Sequence, residues 1–224
     1  GIDLNFGCPA KTVNKSRGGA KLLKTPEAVY EVCAAVRDAT PPSVPVTAKI
    51  RLGFDSDEQF EEIAAQALRS GINELTVHAR TKAQAYRPPA HWQKLRDINN
   101  PNRTPIIANG EIWTPSDLFD CRAQSGCDAF MLARGALCRP DLARAIKAHY
   151  ERRQLDPMSW EEIAELLLYF FEANGELYQR KYAINPLKQW LVYLQYCYPQ
   201  AAALFAQVKR IRDPDDMRVA LLGA

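Results

Sequence analysis

A thiol stands in the stretch Asn5-Phe6-Gly7-Cys8-Pro9, where a short apolar alternation gives way to a Gly-Cys-Pro turn. A cysteine placed there either packs as a small apolar residue or serves as a reagent. Polar side chains recur at equivalent positions further along. Lys49 and Arg51 close one β-branched run, His78 and Arg80 the next, Asn109-Gly110-Glu111 a third and Arg134-Gly135 a fourth. Each has a bland explanation alone, because a lysine can end a strand in water and a lone histidine is usually structural. Recurrence at successive strand ends does not follow from packing. Glycine lets backbone N–H groups approach phosphate oxygens, and arginine adds a two-pronged donor. The stretches Ala108-Asn109-Gly110-Glu111 and Ala133-Arg134-Gly135-Ala136 therefore read as loops for a phosphate-bearing cofactor or substrate.

The elements that must carry these residues follow from periodicity. Strands are predicted at Ile2–Asn5, Val44–Arg51, Glu74–His78, Pro105–Asn109 and Ala129–Ala133, with helices such as Glu27–Asp38 and Asp57–Ser70 between them. In the second helix Phe60, Ile63, Ala64, Ala67 and Leu68 fall on one face at helical spacing. Thr25-Pro26 and Thr114-Pro115 read as an N-cap followed by proline at the first helical position. Alternating β and α units specify an α/β fold, a parallel sheet with helices packed outside it. A closed (β/α)8 TIM barrel needs eight such units in about 250 residues and works at the C-terminal ends of its strands. Residues 1–153 supply five, so they are expected to be the C-terminal five βα units of a barrel whose N-terminal strands are missing from this chain. A doubly wound sheet is the alternative, but no G-x-G-x-x-G follows a strand. Beyond Gln154 the strands stop, and residues 154–224 are expected to form a small all-α domain with helices at Trp160–Asn174, Pro186–Tyr198 and Pro199–Ile211.

Apolar residues make up 47% and charged residues 25% of the 224, as in an ordinary globular chain, and the net charge of +3 argues nothing by itself. Its distribution says more. From Leu177 to Arg212 there are Arg180, Lys181, Lys188, Lys209, Arg210 and Arg212 and no Asp or Glu, interleaved with seven aromatics. Basic charge among aromatics suits a surface that tracks phosphates and stacks bases, although most of these rings are expected in helix core. The preceding helix, with Glu161, Glu162, Glu165, Glu172 and Glu176, is acidic. Six cysteines without a CxxC pair exclude a disulfide framework and a zinc ribbon, and no metal is expected. With no leader and no apolar run approaching a membrane span, the expected compartment is the cytoplasm.

These motifs resemble one family, the tRNA-dihydrouridine synthases, which are FMN-dependent barrels with a C-terminal helical domain. The resemblance is carried by Asn5-Phe6-Gly7-Cys8-Pro9, Lys11, Val13, Gly18-Gly19-Ala20, Leu22-Leu23, Lys49-Ile50-Arg51-Leu52-Gly53, His78-Ala79-Arg80-Thr81, Ala108-Asn109-Gly110-Glu111 and Ala133-Arg134-Gly135-Ala136-Leu137. In the tail, Lys188-Gln189-Trp190-Leu191 with Tyr193-Leu194 resembles the branch acting on uridine 16 in the D-loop. Glycine is usual in the family where Ala79 and Ala133 stand.

The resemblance implies a flavin-dependent oxidoreductase. It would reduce the C5–C6 double bond of a uridine in tRNA to 5,6-dihydrouridine, with NADPH, or alternatively NADH, reducing FMN. Hydride would pass from flavin N5 to C6 and a proton from Cys8 to C5, a task suited to a thiol whose ordinary pKa near 8.5 leaves it protonated at neutrality. Lys49 would lie at the N1/C2 edge of the flavin and His78 against its ring or phosphate. Asn109, Gly110, Glu111, Ala133, Arg134 and Gly135 would hold ribityl and phosphate. Asn5, Phe6, Gly7 and Arg51 would hold the target nucleotide, which must be flipped out of its stack to be reached. Lys181, Asn185 and Lys188 would contact the tRNA. The resemblance adds tRNA as the partner, with no membrane, no metal and a monomeric chain, and leaves His91 and His149 on the surface. Three other readings stay open: an FMN barrel oxidoreductase acting on a free pyrimidine such as dihydroorotate, a flavin-free barrel lyase or isomerase, and a non-enzymatic RNA-binding remnant.

Overall fold

The computed structural model describes residues 1–100, 103–179 and 182–223. Five strands, β1 (Ile2–Asn5), β2 (Val46–Arg51), β3 (Glu74–His78), β4 (Ile106–Asn109) and β5 (Ala129–Met131), form one parallel sheet. Each pairs with the next in sequence, in the order β1-β2-β3-β4-β5. A doubly wound sheet reverses its strand order at a switch point; this one advances in a single direction, as barrel strands do. Three strands differ at their ends from the sequence expectation, β4 by one residue, since it begins at Ile106 rather than Pro105. β2 begins at Val46 because Pro45 has no N–H to donate and pairs only through its carbonyl, which accepts from Ile2 N at 2.9 Å. β5 stops at Met131.

Ten helices fill the rest of the described chain: α1 (Lys11–Lys15), α2 (Pro26–Ala39), α3 (Phe60–Arg69), α4 (Pro115–Ser125), α5 (Arg134–Cys138), α6 (Leu142–Tyr150), α7 (Trp160–Leu177), α8 (Ile184–Leu194), α9 (Pro199–Val208) and α10 (Pro214–Leu222). Tight 3-10 turns run over Gly19–Lys24 and Trp92–Leu95. Pro26 opens α2 as expected, but the Thr25 side chain makes no capping bond, so proline's fixed φ rather than a hydroxyl starts that helix. α10 lies outside the predicted elements, although its start is written plainly in Asp213-Pro214: the Asp213 carboxylate accepts from the N–H groups of Asp215 and Asp216.

Two compact units result, one of residues 1–112 and 116–133, the other of residues 113–115 and 134–224. α5 and α6, which the rhythm of the sequence attaches to the β/α repeat, cluster with the helices that follow them.

In the first unit the register sorts the sheet into two faces. Val46, Ala48, Ile50, Leu75, Val77, Ile106 and Ala108 alternate onto one face and are buried. Val29 and Cys33 of α2 and Ile63, Ala64 and Ala67 of α3 are buried with no more than 1% exposure. The opposite face carries Asp3, Asn5, Thr47, Lys49, Arg51, Thr76, His78 and Asn109. A sheet covered by helices on one side and lined by such residues on the other has one face for stability and one for ligands.

The second unit has its own core of Ile163, Leu167, Phe171, Leu187, Leu191, Leu194, Leu204, Val208 and Met217 among others. α7 starts with a full capping box: Glu162 N donates to Ser159 Oγ and Ser159 N to the Glu162 carboxylate. Among the described residues no helix is long and apolar enough to cross a membrane, and no three His, Cys, Asp or Glu side chains come together as a metal site.

Candidate active site

Parallel pairing brings Arg51, His78, Asn109 and Met131 into one row across the C-terminal end of the sheet, one step beyond a row of Asn5, Lys49, Thr76, Ile107 and Ala129. Lys49 bridges over β3: its Nζ donates to Asn109 Oδ1 at 3.1 Å, and Asn109 Nδ2 donates onward to the Met131 carbonyl at 2.8 Å. Burial beside the Arg51 charge pushes the Lys49 ammonium down to about 8, and Asp3 offsets this only in part. A half-buried cation with a neutral amide as its hydrogen-bond partner is a place for an anion.

Cys8 follows β1 at intermediate exposure. Its turn is built by neighbours on both sides. Asn5 Oδ1 accepts from Gly7 N at 2.9 Å, and the Cys8 carbonyl accepts from Ala20 N at 3.0 Å and Asn14 Nδ2 at 3.1 Å. Gly19 makes this approach possible. It sits at φ +58, and a Cβ there would lie 2.8 Å from the Cys8 carbonyl oxygen. Phe6, expected to touch the nucleotide, is 2% exposed, and its N–H pairs with the Lys49 carbonyl at 2.8 Å, so its ring is core.

Arg51, expected to hold the target nucleotide, is 2% exposed and spends donors on main-chain carbonyls: Nε on Gly7 at 2.8 Å, Nη1 on Ala85 at 3.0 Å and Thr81 at 3.3 Å. It ties the cysteine loop to the loop after β3.

Arg80, named at its strand end but not assigned to the site by sequence, is fully buried. Its Nε donates to the Arg87 carbonyl at 2.7 Å, Nη1 lies 3.3 Å from His78 Nε2, and Nη2 pairs with the Glu111 carboxylate. A guanidinium cannot accept, so His78 Nε2 must, which leaves the proton on Nδ1. Gly110 at φ +115 and Glu111 at φ +60 make the tight turn after β4, and a Cβ on Gly110 would lie 2.9 Å from His78 Cδ2. Left-handed backbone at a non-glycine residue costs about 1–2 kcal/mol, which the Glu111–Arg80 pair holds in place. Tyr86 is the other residue the sequence reading passed over. It is 50% exposed, with its ring centroid 6.1 Å from that of His78 and 5.4 Å from the Arg51 guanidinium carbon. A Tyr in a loop of no periodicity gave no signal. His91, expected on the surface, is half-buried against Gln84, while His149 is exposed.

Ala133 closes the first unit and is exposed. In the second unit Arg134 opens α5 with its guanidinium 5.0 Å from the Trp113 ring centroid, and Gly135 is buried. Lys188 donates to the carbonyls of Ile211 at 2.5 Å and Lys209 at 3.1 Å, so it ties α8 to the chain leaving α9; desolvation and the Arg212 charge lower its pKa. Lys209, Arg210, Arg212 and Asn185 are exposed, as are the rings of Tyr178, Tyr182 and Tyr196. Trp190 packs edge-on to Phe170 and donates to the Leu137 carbonyl at 2.9 Å. Lys181 lies outside the described residues. Cys33, Cys121, Cys127 and Cys138 are buried with thiols pushed up by desolvation, Cys121 to about 12.

Residues 1–221 match the family model described as "Dihydrouridine synthase (Dus)". The chain belongs to the dihydrouridine synthase family. Among similar proteins of this family are those named tRNA-dihydrouridine(16) synthase in Pseudomonas putida, 47% identical over 95% of this chain, and in Aquipseudomonas alcaligenes, 48% identical over 95%. The protein of that name in Neisseria meningitidis is 41% identical over 97% of this chain. The chain spans 66%, 67% and 66% of the length of these three dihydrouridine synthases, respectively.

Proposed function

We propose that this chain carries the catalytic part of a tRNA-dihydrouridine synthase, reducing the C5–C6 double bond of a uridine in tRNA, with uridine 16 as target, to 5,6-dihydrouridine. The observation that carries the reading is the row of Lys49, His78 and Asn109 at the strand ends beside the cysteine loop, in a chain of this family. FMN, when bound, supplies the hydride, with NADPH as the reductant that restores it.

The residues fit such a group. Lys49 offers positive charge without a close carboxylate, which suits an anionic ring edge. Gly110 lets the turn after β4 pass close against the His78 ring, where a Cβ would lie 2.9 Å from Cδ2, and His78 presents Nδ1–H as a fixed donor. Asn109, Gly110 and Glu111 form the turn proposed to hold ribityl and phosphate, and Ala133, Arg134 and Gly135 keep that assignment on the family motif.

Cys8 is the proposed acid, delivering its proton to C5 after C6 has been reduced. Asn5 shapes the turn that aims it, and Arg51 holds the Gly7 carbonyl next to it, so neither has to touch the base to matter. Tyr86 offers a face on which an extruded base can stack. Residues 154–224, whose described elements are all helices, are proposed to grip the tRNA through Lys209, Arg210, Arg212, Asn185 and Lys181. A basic surface is of no use to an enzyme of free pyrimidines. The five strands are proposed to belong to a (β/α)8 barrel, and the protein to work as a cytoplasmic monomer.

The test is Cys8→Ala. It is expected to retain flavin and tRNA affinity while dihydrouridine, mapped by mass spectrometry in tRNA, falls at least a hundredfold. Turnover at the parent rate would remove Cys8 from the chemistry.

A further inference from the structure

Three ammonium groups, two from the 3-10 turn over Gly19–Lys24 and one from the loop after β3, converge on one ring in the first unit. Lys24 Nζ lies 4.5 Å, Lys82 Nζ 4.6 Å and Lys21 Nζ 5.6 Å from the centroid of Phe54. All three therefore lie no farther than about a Debye length from one another, ~10 Å at 0.1 M salt, so salt weakens their mutual repulsion without abolishing it. The ring's negative face offsets part of that repulsion. Carboxylates offset little more: Asp55 pairs with Lys24 at the solvent edge, and Asp57 is taken by Lys94 at 3.1 Å. Among the described residues Lys21 and Lys82 have no ion pair.

The backbone holds this arrangement in place. Lys82 N and Ala83 N donate to the carbonyls of Gly53 and Phe54, both at 2.9 Å, which zips the loop after β3 to the loop after β2. A Cβ on Gly53 would collide with the Ser56 carbonyl oxygen, so the turn that presents Phe54 is built for glycine. Lys21 follows Ala20, whose N–H is bonded to the Cys8 carbonyl. The cluster thus stands on the same strand-end rim as the thiol, one residue removed from a direct contact with its backbone.

We infer that Lys21, Lys24 and Lys82 around Phe54 form a phosphate subsite that binds the RNA backbone next to the nucleotide entering the site. This rests on the tRNA reading above and adds a grip on the strand-bearing unit, separate from the helical tail. The chemistry is that of a polyanion held by lysine point charges: a base must be extruded to reach Cys8, while its flanking phosphates stay at the rim, where fixed positive charge offsets the cost of unstacking.

The experiment measures binding of an unmodified tRNA transcript to the intact flavin-loaded protein between 50 and 200 mM salt, a range over which phosphate contacts dominate. Lys21→Ala with Lys82→Ala is expected to weaken binding about tenfold. It should also reduce the slope of log K against log salt by roughly 1.4–1.8, the value for two phosphate contacts. NADPH oxidation without tRNA should stay at the parent rate, which also shows that the variant is folded. Phe54→Leu, which keeps the lysines, is expected to leave that slope unchanged. Parent-like affinity in the double variant, or a loss of affinity with an unchanged slope, would overturn the subsite. A parent protein that binds no tRNA would instead overturn the tRNA reading, and is seen before any variant is made.

Discussion

Arg80 organises the candidate site without being able to touch a ligand itself, since no part of it reaches solvent. Its donors hold the Arg87 carbonyl, His78 Nε2 and the Glu111 carboxylate together, so one side chain sets the tautomer of a ring and the geometry of a turn. Arg80→Gln should therefore release the proton of His78 from Nδ1. With only three histidines in the chain, nitrogen NMR can read this directly: Nε2 unprotonated in the parent, and a mixture in the variant. A parent spectrum with the proton on Nε2 would refute the assignment. Lys49 leads to a pH prediction. Its folded pKa of about 8 lies below the ordinary 10.5, so the folded state carries the full cost of a buried charge below pH 8. Between pH 8 and 10.5 the unfolded chain binds more protons, and this group's contribution to stability rises with pH. Lys49→Met in the flavin-free protein should gain on the order of 1–3 kcal/mol over its parent at pH 7 and lose that gain by pH 10.5, measured by urea unfolding. In the flavin-loaded protein the same change should lower the midpoint potential, because the reduced ring loses its counter-charge.

Helix ends and tight turns decide where these residues stand. The 3-10 turn over Gly19–Lys24 places Ala20 N on the Cys8 carbonyl and sends Lys21 and Lys24 to the rim. The Gly-Gly pair was legible as a turn, but which carbonyl it would meet was not, since that depends on how α1 folds back. Lys188 shows the opposite outcome. Its type and its basic surroundings read as an RNA contact, yet its ammonium caps carbonyls that leave α9. Two donors in that position satisfy acceptors a helix end leaves open. Lys188→Gln is expected to cost about 0.5–1.5 kcal/mol in denaturant unfolding. Any fall in tRNA affinity should accompany that loss, while flavin reduction by NADPH is unchanged. An RNA effect without a stability effect would return Lys188 to the binding surface.

At the scale of the molecule, the alternation of β-branched runs with amphipathic stretches determined the parallel sheet, and the periods alone located β1 and β3 to the residue. Periodicity reports which side of an element is apolar, and burial follows from that through the hydrophobic effect. The strand-end positions of Asn5, Lys49, His78 and Asn109 were legible for the same reason: a residue two beyond another on a strand shares its face. What each side chain then does was decided by contacts between residues thirty or sixty apart. Arg51 was legible as a polar residue facing the site, and only the fold turned its donors onto the carbonyls of Gly7, Thr81 and Ala85. Lys21, Lys24 and Lys82 are scattered in the chain and meet at Phe54 only because three loops leave the sheet at one end. Local sequence specifies local conformation and the apolar face. The partners of a charged group are specified by packing, because they come from wherever the chain returns.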